Sequence, residues 1–133
     1  MVIEEAETAI VEKLKSDIPD LAVEPFPENV KDYELIHPIG AVLVSYDGSN
    51  YTNPRLEQQA RMVEFSAIVI VRNLRSHHGA YKTLECVRQS VTNDLYIENM
   101  KLYPLSEKFL FVEDDKWHYE MRFMLPTVYF LGE

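Results

Sequence analysis

An α+β domain is what this sequence predicts, and three observations predict it. Two segments, one near the N-terminus and one in the second half, carry apolar residues at spacings of three and four, as amphipathic helices do. The segments around them hold Val-, Ile- and aromatic-rich runs with a two-residue period, as strands do. The links between strands are mostly of hairpin length, which favours antiparallel neighbours with helices laid against them. The expected architecture is an antiparallel or mixed sheet of about four to six strands, with two helices packed mainly on one face. No linker, repeat or low-complexity tract divides residues 1–133, so one domain is expected.

Ile3, Ala6, Ile10 and Leu14 form the first helical stripe. Glu4, Glu5 and Glu7 lie in its opening turns, where carboxylates favour the positive end of the helix dipole. Pro19 stops it. Pro25, Pro27 and Pro38 then punctuate an extended stretch, which suits only an edge strand and loop because proline offers no donor to a central ladder. Residues 41–46 read as the first strong strand and 61–72 as the longest one. Between them, 47–59 is polar and holds the turn dipeptides Asp47-Gly48 and Asn53-Pro54, so it reads as a projecting arm.

Within 61–72, Val63, Phe65, Ala67, Val69 and Val71 share one face. The other face begins polar at Glu64 and Ser66 and turns apolar at Ile68 and Ile70, so something must cover both faces at that end. Ala80, Leu84, Val87 and Val91 mark a second helix over 79–93. A final hairpin runs from 102 to 112, turns at Glu113-Asp114-Asp115-Lys116 and returns over 117–130. In its return strand Trp117, Tyr119, Met121, Phe123 and Leu125 alternate with His118, Glu120, Arg122 and Met124.

Composition removes several function classes. With 47% hydrophobic and 26% charged residues over 133 positions, the chain is expected to fold. A net charge of −9 repels a phosphate backbone and disfavours anionic membrane surfaces, so neither sequence-specific nucleic-acid binding nor a membrane partner is expected. No apolar run reaches the roughly 18 residues of a membrane span, and the acidic N-terminus is unlike a signal peptide. Cys86 alone cannot form an internal disulfide, which suits synthesis in a reducing cytoplasm.

Chemistry-bearing patterns are sparse. Gly40, Gly48, Gly79 and Gly132 are too far apart for a phosphate-cradling loop. His77 and His78 are adjacent in a loop, and neighbours rarely converge on one ion, so they read as an exposed pair. His118, Glu120 and Arg122 share a strand face and suit either an anion or metal site or, more simply, cross-strand pairing. Glu113-Asp114-Asp115 lacks the alternating ligands and glycine of a calcium loop and reads as a solvated turn. Cys86 reads as a small buried hydrophobe. No catalytic residue, cofactor site or metal site is therefore assigned.

What remains is apolar surplus. Phe109, Leu110, Phe111 and Val112 in a row cannot all face one core, and two helices can cover only one sheet face. Uncovered apolar patches mark interaction surfaces, most often self-association. The candidate interface residues are Tyr51, Pro54 and Arg55 on the arm, Ile68 and Ile70, and Phe109, Phe111, His118 and Arg122. Two other readings compete: a binder or enzyme using His77, His78 or His118 in a pocket, and a monomeric adaptor that docks a partner strand on an open edge.

The run Val71-Arg72-Asn73-Leu74-Arg75, followed by Gly79-Ala80-Tyr81 opening a helix with Leu84, Val87 and Arg88, resembles the family named after the thirty-seventh gene product of phage Mu. The N-terminal helix with its proline-rich sequel and the aromatic C-terminal hairpin resemble it too, so the likeness spans nearly the whole chain. The same order of elements is similar to tail terminator, or tail completion, proteins of long-tailed phages. That resemblance implies a non-catalytic phage or prophage subunit that forms a ring, usually of six. Such a ring caps the tail tube and meets tube, sheath and head-connector proteins. It is built in the bacterial cytoplasm and carried in the virion tail.

Overall fold

The computed structural model describes residues 2–27, 39–52, 57–72, 78–130 and 132. The chain runs α1 (Ile3–Asp17), β1 (Ala22–Pro25), β2 (Gly40–Tyr51), β3 (Gln58–Arg72), α2 (His78–Thr92), β4 (Tyr103–Glu113) and β5 (Lys116–Phe130). The strands form one five-stranded sheet in the order β1-β2-β3-β5-β4. β1 lies parallel to β2 and every other pair is antiparallel. This is the mixed α+β architecture expected from the sequence.

Local chemistry explains the element ends. α1 opens with Glu4 and Glu5 in its first turn and closes before Pro19, with the Ile18 amide donating to the Leu14 carbonyl at 2.8 Å. α2 ends as Asp94 takes a left-handed conformation (φ 56°), the helix-terminating role more often given to glycine. Asp114 and Asp115 both have positive φ, 49° and 62°, as a two-residue hairpin turn matched to strand twist requires. Glu98 and Asn99 repeat that conformation in a second tight turn, closed by reciprocal Ile97–Met100 backbone bonds of 2.9 and 3.0 Å. Side-chain patterning carried no sign of this second turn.

The polar arm expected over 47–59 is largely strand. β2 continues to Tyr51 and β3 begins at Gln58, so most of that segment extends the hairpin. Ladder bonds come from the backbone, so a strand can run on past its apolar stretch. Asp47 sits as an extra residue between the Tyr46–Phe65 and Gly48–Glu64 pairs, a bulge that Gly48 (φ 150°) accommodates.

The main core lies between the helices and one sheet face. α1 contributes Ala6, Ile10, Val11 and Leu14, and α2 contributes Ala80, Leu84, Val87 and Val91. They meet Val63, Phe65, Ala67, Val69 and Val71 of β3 and Tyr119, Met121, Phe123 and Leu125 of β5. A hydrogen bond of 2.8 Å from the Ser90 hydroxyl to Asp17 ties the helices together, and Lys13 also donates to Asp17.

The opposite face departs from expectation at one end. Ile70 is only 4% exposed and Ile68 is half-buried, packed with Ala41, Leu43, Ala22 and Phe26. The expected exposure of Ile70 is thus corrected: the chain following β1 brings Phe26 over it. Only a long-range contact could reveal that.

Length decides what stays uncovered. β3 and β5 hold 15 residues each, and at about 3.3 Å per residue they reach roughly 50 Å. The helices also hold 15 residues each, but at about 1.5 Å per residue they span only some 22 Å. The sheet outruns its helices. The overhang is built from the ends of β2, β3 and β5, where Tyr51, Val128 and Phe130 are exposed.

Candidate interaction surface

β4 is the centre of this surface. It pairs with β5 on one side only and forms one edge of the sheet. Ten of its eleven residues are exposed, Leu110 being half-buried. Tyr103, Leu105, Phe109, Phe111 and Val112 are among them, an edge of the kind that invites another chain.

Two irregularities shape this edge. Leu105 falls between the Pro104–Phe123 and Ser106–Arg122 pairs, and Leu110 between the Phe109–Tyr119 and Phe111–His118 pairs. Each inserted residue breaks the two-residue alternation. Phe109 and Phe111, which an unbroken strand would place on one face, therefore look out on opposite faces. Phe109 is 43% exposed on the helix side, with ring centroids 5.8 Å from Trp117 and 5.6 Å from Tyr119. Phe111 is 46% exposed on the open side and stacks on His118 at 4.1 Å, with the planes 18° apart.

Beside β4 on the helix side runs an open groove of about 430 Å³, lined by residues that include Tyr81, Leu84, Arg88, Glu107 and Phe109. Its charged wall is the Arg88–Glu107 pair, bidentate at 2.5 and 2.8 Å. Those bonds hold the Arg88 guanidinium more firmly protonated than usual. Sequence reading missed this clamp, although Arg88 follows Leu84 by one helical turn and so borders the buried stripe.

The open face of the sheet is a lattice of crossed charges. Arg122 meets Glu64 at 3.1 Å and Asp47 at 3.8 Å, and Lys108 meets Glu120 at 3.5 Å. Asp47 also accepts a hydrogen bond from Ser66. The His118, Glu120 and Arg122 face is therefore engaged in cross-strand contacts. Exposed pairs of this kind contribute only about 0–1 kcal/mol each. Their larger effect is to leave little unpaired charge on that face.

His118 is half-buried, and its Nδ1 donates to the Lys116 carbonyl at 3.1 Å. Burial pushes its pKa below the ordinary histidine value, against the opposing pull of backbone bonds at Lys116 and Phe111 and the charge of Glu113. The unfolded chain then binds the proton more readily. The stabilisation is full above the ordinary histidine range and is lost as pH falls through it towards the lowered folded value. His118→Gln is expected to flatten the fall in thermal midpoint between pH 7.5 and pH 5, as differential scanning calorimetry would read.

The remaining sequence candidates sort plainly. Tyr51 stands on the overhang, edge-on to Tyr129 at 5.4 Å and under the Arg61 guanidinium at 5.6 Å. Pro54, Arg55 and His77 lie outside the described residues, as does the side chain of His78. Cys86 is half-buried on α2. Among the described residues no cluster of three or more His, Cys, Asp or Glu could hold a metal ion, and no helix is long and apolar enough to cross a membrane.

Residues 10–130 match the Gp37 protein family, nearly the full length of the chain. The chain belongs to that family. No curated protein is significantly similar to it. Among solved structures, this Gp37-family chain is similar to one in the virion of a native gene transfer agent particle, with a TM-score of 0.60 and 17% sequence identity. That alignment covers 90% of this chain and 92% of the other, so the two share a fold through nearly their whole lengths.

Proposed function

We propose that this chain is a non-catalytic structural subunit of a phage or phage-like virion. More narrowly, it acts as a tail terminator whose copies close into a ring on the tail tube and meet the head connector. The observation that carries the reading is the exposed aromatic edge at β4, joined to a sheet about twice as long as the helices that cover it. A lone subunit leaves that surface wet, and burial in copies of itself or in neighbouring tail proteins removes it from water. Gp37 family membership and the fold shared with a chain of a gene transfer agent virion support the same reading. So does the engagement of His118 with Phe111 and a backbone carbonyl, a setting that suits packing better than proton transfer.

In this role the tube, the sheath and the connector are the partners, Tyr51, Phe109, Phe111, His118 and Arg122 lie in contact regions, and no cofactor is needed. Deleting the chain from a producing phage or prophage is expected to leave heads and tails unjoined, with tubes of irregular length in negative stain. A plasmid-borne copy is expected to restore joined particles. Undiminished yields of joined, uniform particles without the chain would overturn the reading.

A further inference from the structure

The sheet has a second incomplete edge, and it matches the first. β1 covers β2 only from Ala41 to Val44. From Ser45 to Tyr51 β2 pairs with β3 alone among the described residues, which leaves a seven-residue slot on its outer side. The backbone directions can be followed. The Val44 carbonyl points outward, since it accepts from the Phe26 amide, and the Thr52 amide points inward to Ala60. With the Asp47 bulge counted, alternation turns the amides of Tyr46, Ser49 and Tyr51 outward.

We infer that β4 of one copy enters the β2 slot of the next, so that a single sheet runs on from subunit to subunit. This rests on the ring reading above and names its contact. Polarity agrees: β4 runs opposite to β5, which is parallel to β2, so the incoming β4 meets β2 antiparallel when both copies present their helices on the same side. The two edges belong to different strands, so the contact is head-to-tail, as a ring requires.

The stagger also suits closure. Through β5, β4 lies level with Arg72 to Glu64 of β3, whereas the slot lies level with Ser66 to Arg61. Seating one in the other slides each copy by roughly four to five residues across four strand widths, about one residue per strand. That slip tilts strands by about 35–40°, the range found in closed barrels. β1 enforces it by blocking the first half of the β2 edge, so the incoming strand ends against it. β3, α2 and β4 form a β–α–β crossover, and in the right-handed sense such crossovers take, the slip closes with the helices outside. The paired charges of Asp47, Glu64, Lys108, Glu120 and Arg122 then face the bore.

The test is cross-linking of the full chain in a Cys86→Ser background, with a short bismaleimide and with tail tubes present. Asn50→Cys and Lys108→Cys both lie on the open face of their edges. The double variant is expected to give a ladder of dimers, trimers and higher species. Each single variant alone is expected to give monomers, and the two singles mixed are expected to give dimers only. Rings visible in negative stain with no ladder, or dimers from one single variant alone, would overturn the edge contact and leave the ring reading standing. Absence of both rings and ladder on tubes would overturn the two together.

Discussion

Lysine at both Phe109 and Phe111 is expected to leave a folded subunit that no longer assembles. In the free chain the two rings are already half in water, so their loss removes only contacts with Trp117, Tyr119 and His118. The cost to the lone subunit is about 1–2 kcal/mol. In an assembly two desolvated aromatic anchors are worth together about 2–4 kcal/mol, and charge placed there costs more. The association constant is expected to fall roughly 30- to 1,000-fold. Circular dichroism close to wild type, with particle yield reduced at least tenfold, is the expected pair of readings. An unfolded variant would show that β4 matters to the subunit itself, and full particle yield would remove β4 from the interface.

Alanine at Gly40 is expected to be the most damaging single methyl in the described fold. A Cβ built there lies 2.2 Å from the Ile70 carbonyl oxygen and 3.3 Å from the Val71 Cα. Both are backbone atoms of the neighbouring strand, so no side-chain rotation relieves the clash. β2 must part from β3 where the Gly40–Val71 pair begins their ladder. Overpacking of this kind costs about 3 kcal/mol, which for a domain of this size lowers the thermal midpoint by roughly 10 °C. A midpoint within 2 °C of wild type would show that β2 starts later than Gly40.

Much of this fold was legible in the chain because burial imposes periods on sequence. The stripe Ala80, Leu84, Val87, Val91 placed α2 to within a residue of its observed span, His78–Thr92. Alternation over 117–130 separated the buried Tyr119, Met121, Phe123 and Leu125 from the cross-paired Glu120 and Arg122.

What escaped were departures from period. The bulges at Asp47, Leu105 and Leu110 shift side chains between faces, and no residue type at those positions announces the shift. The parallel pairing of β1 and the cover that Phe26 gives Ile70 are long-range contacts, which local patterning does not encode. The candidate surface was half legible for the same reason. Phe109 and Phe111 were recognised as surplus, but their placement on opposite faces depends on one inserted residue. The groove at Arg88 and Glu107 depends on how α2 seats beside β4.

β1 is four residues long and ends at Pro25, yet in a head-to-tail sheet it acts as the gauge of the whole assembly. A strand one residue longer would push each arriving neighbour one step further along β2. Strand tilt would steepen to roughly 43°, and a belt with the same number of copies would widen by about a tenth. The smallest element of the fold would then set the calibre of the channel.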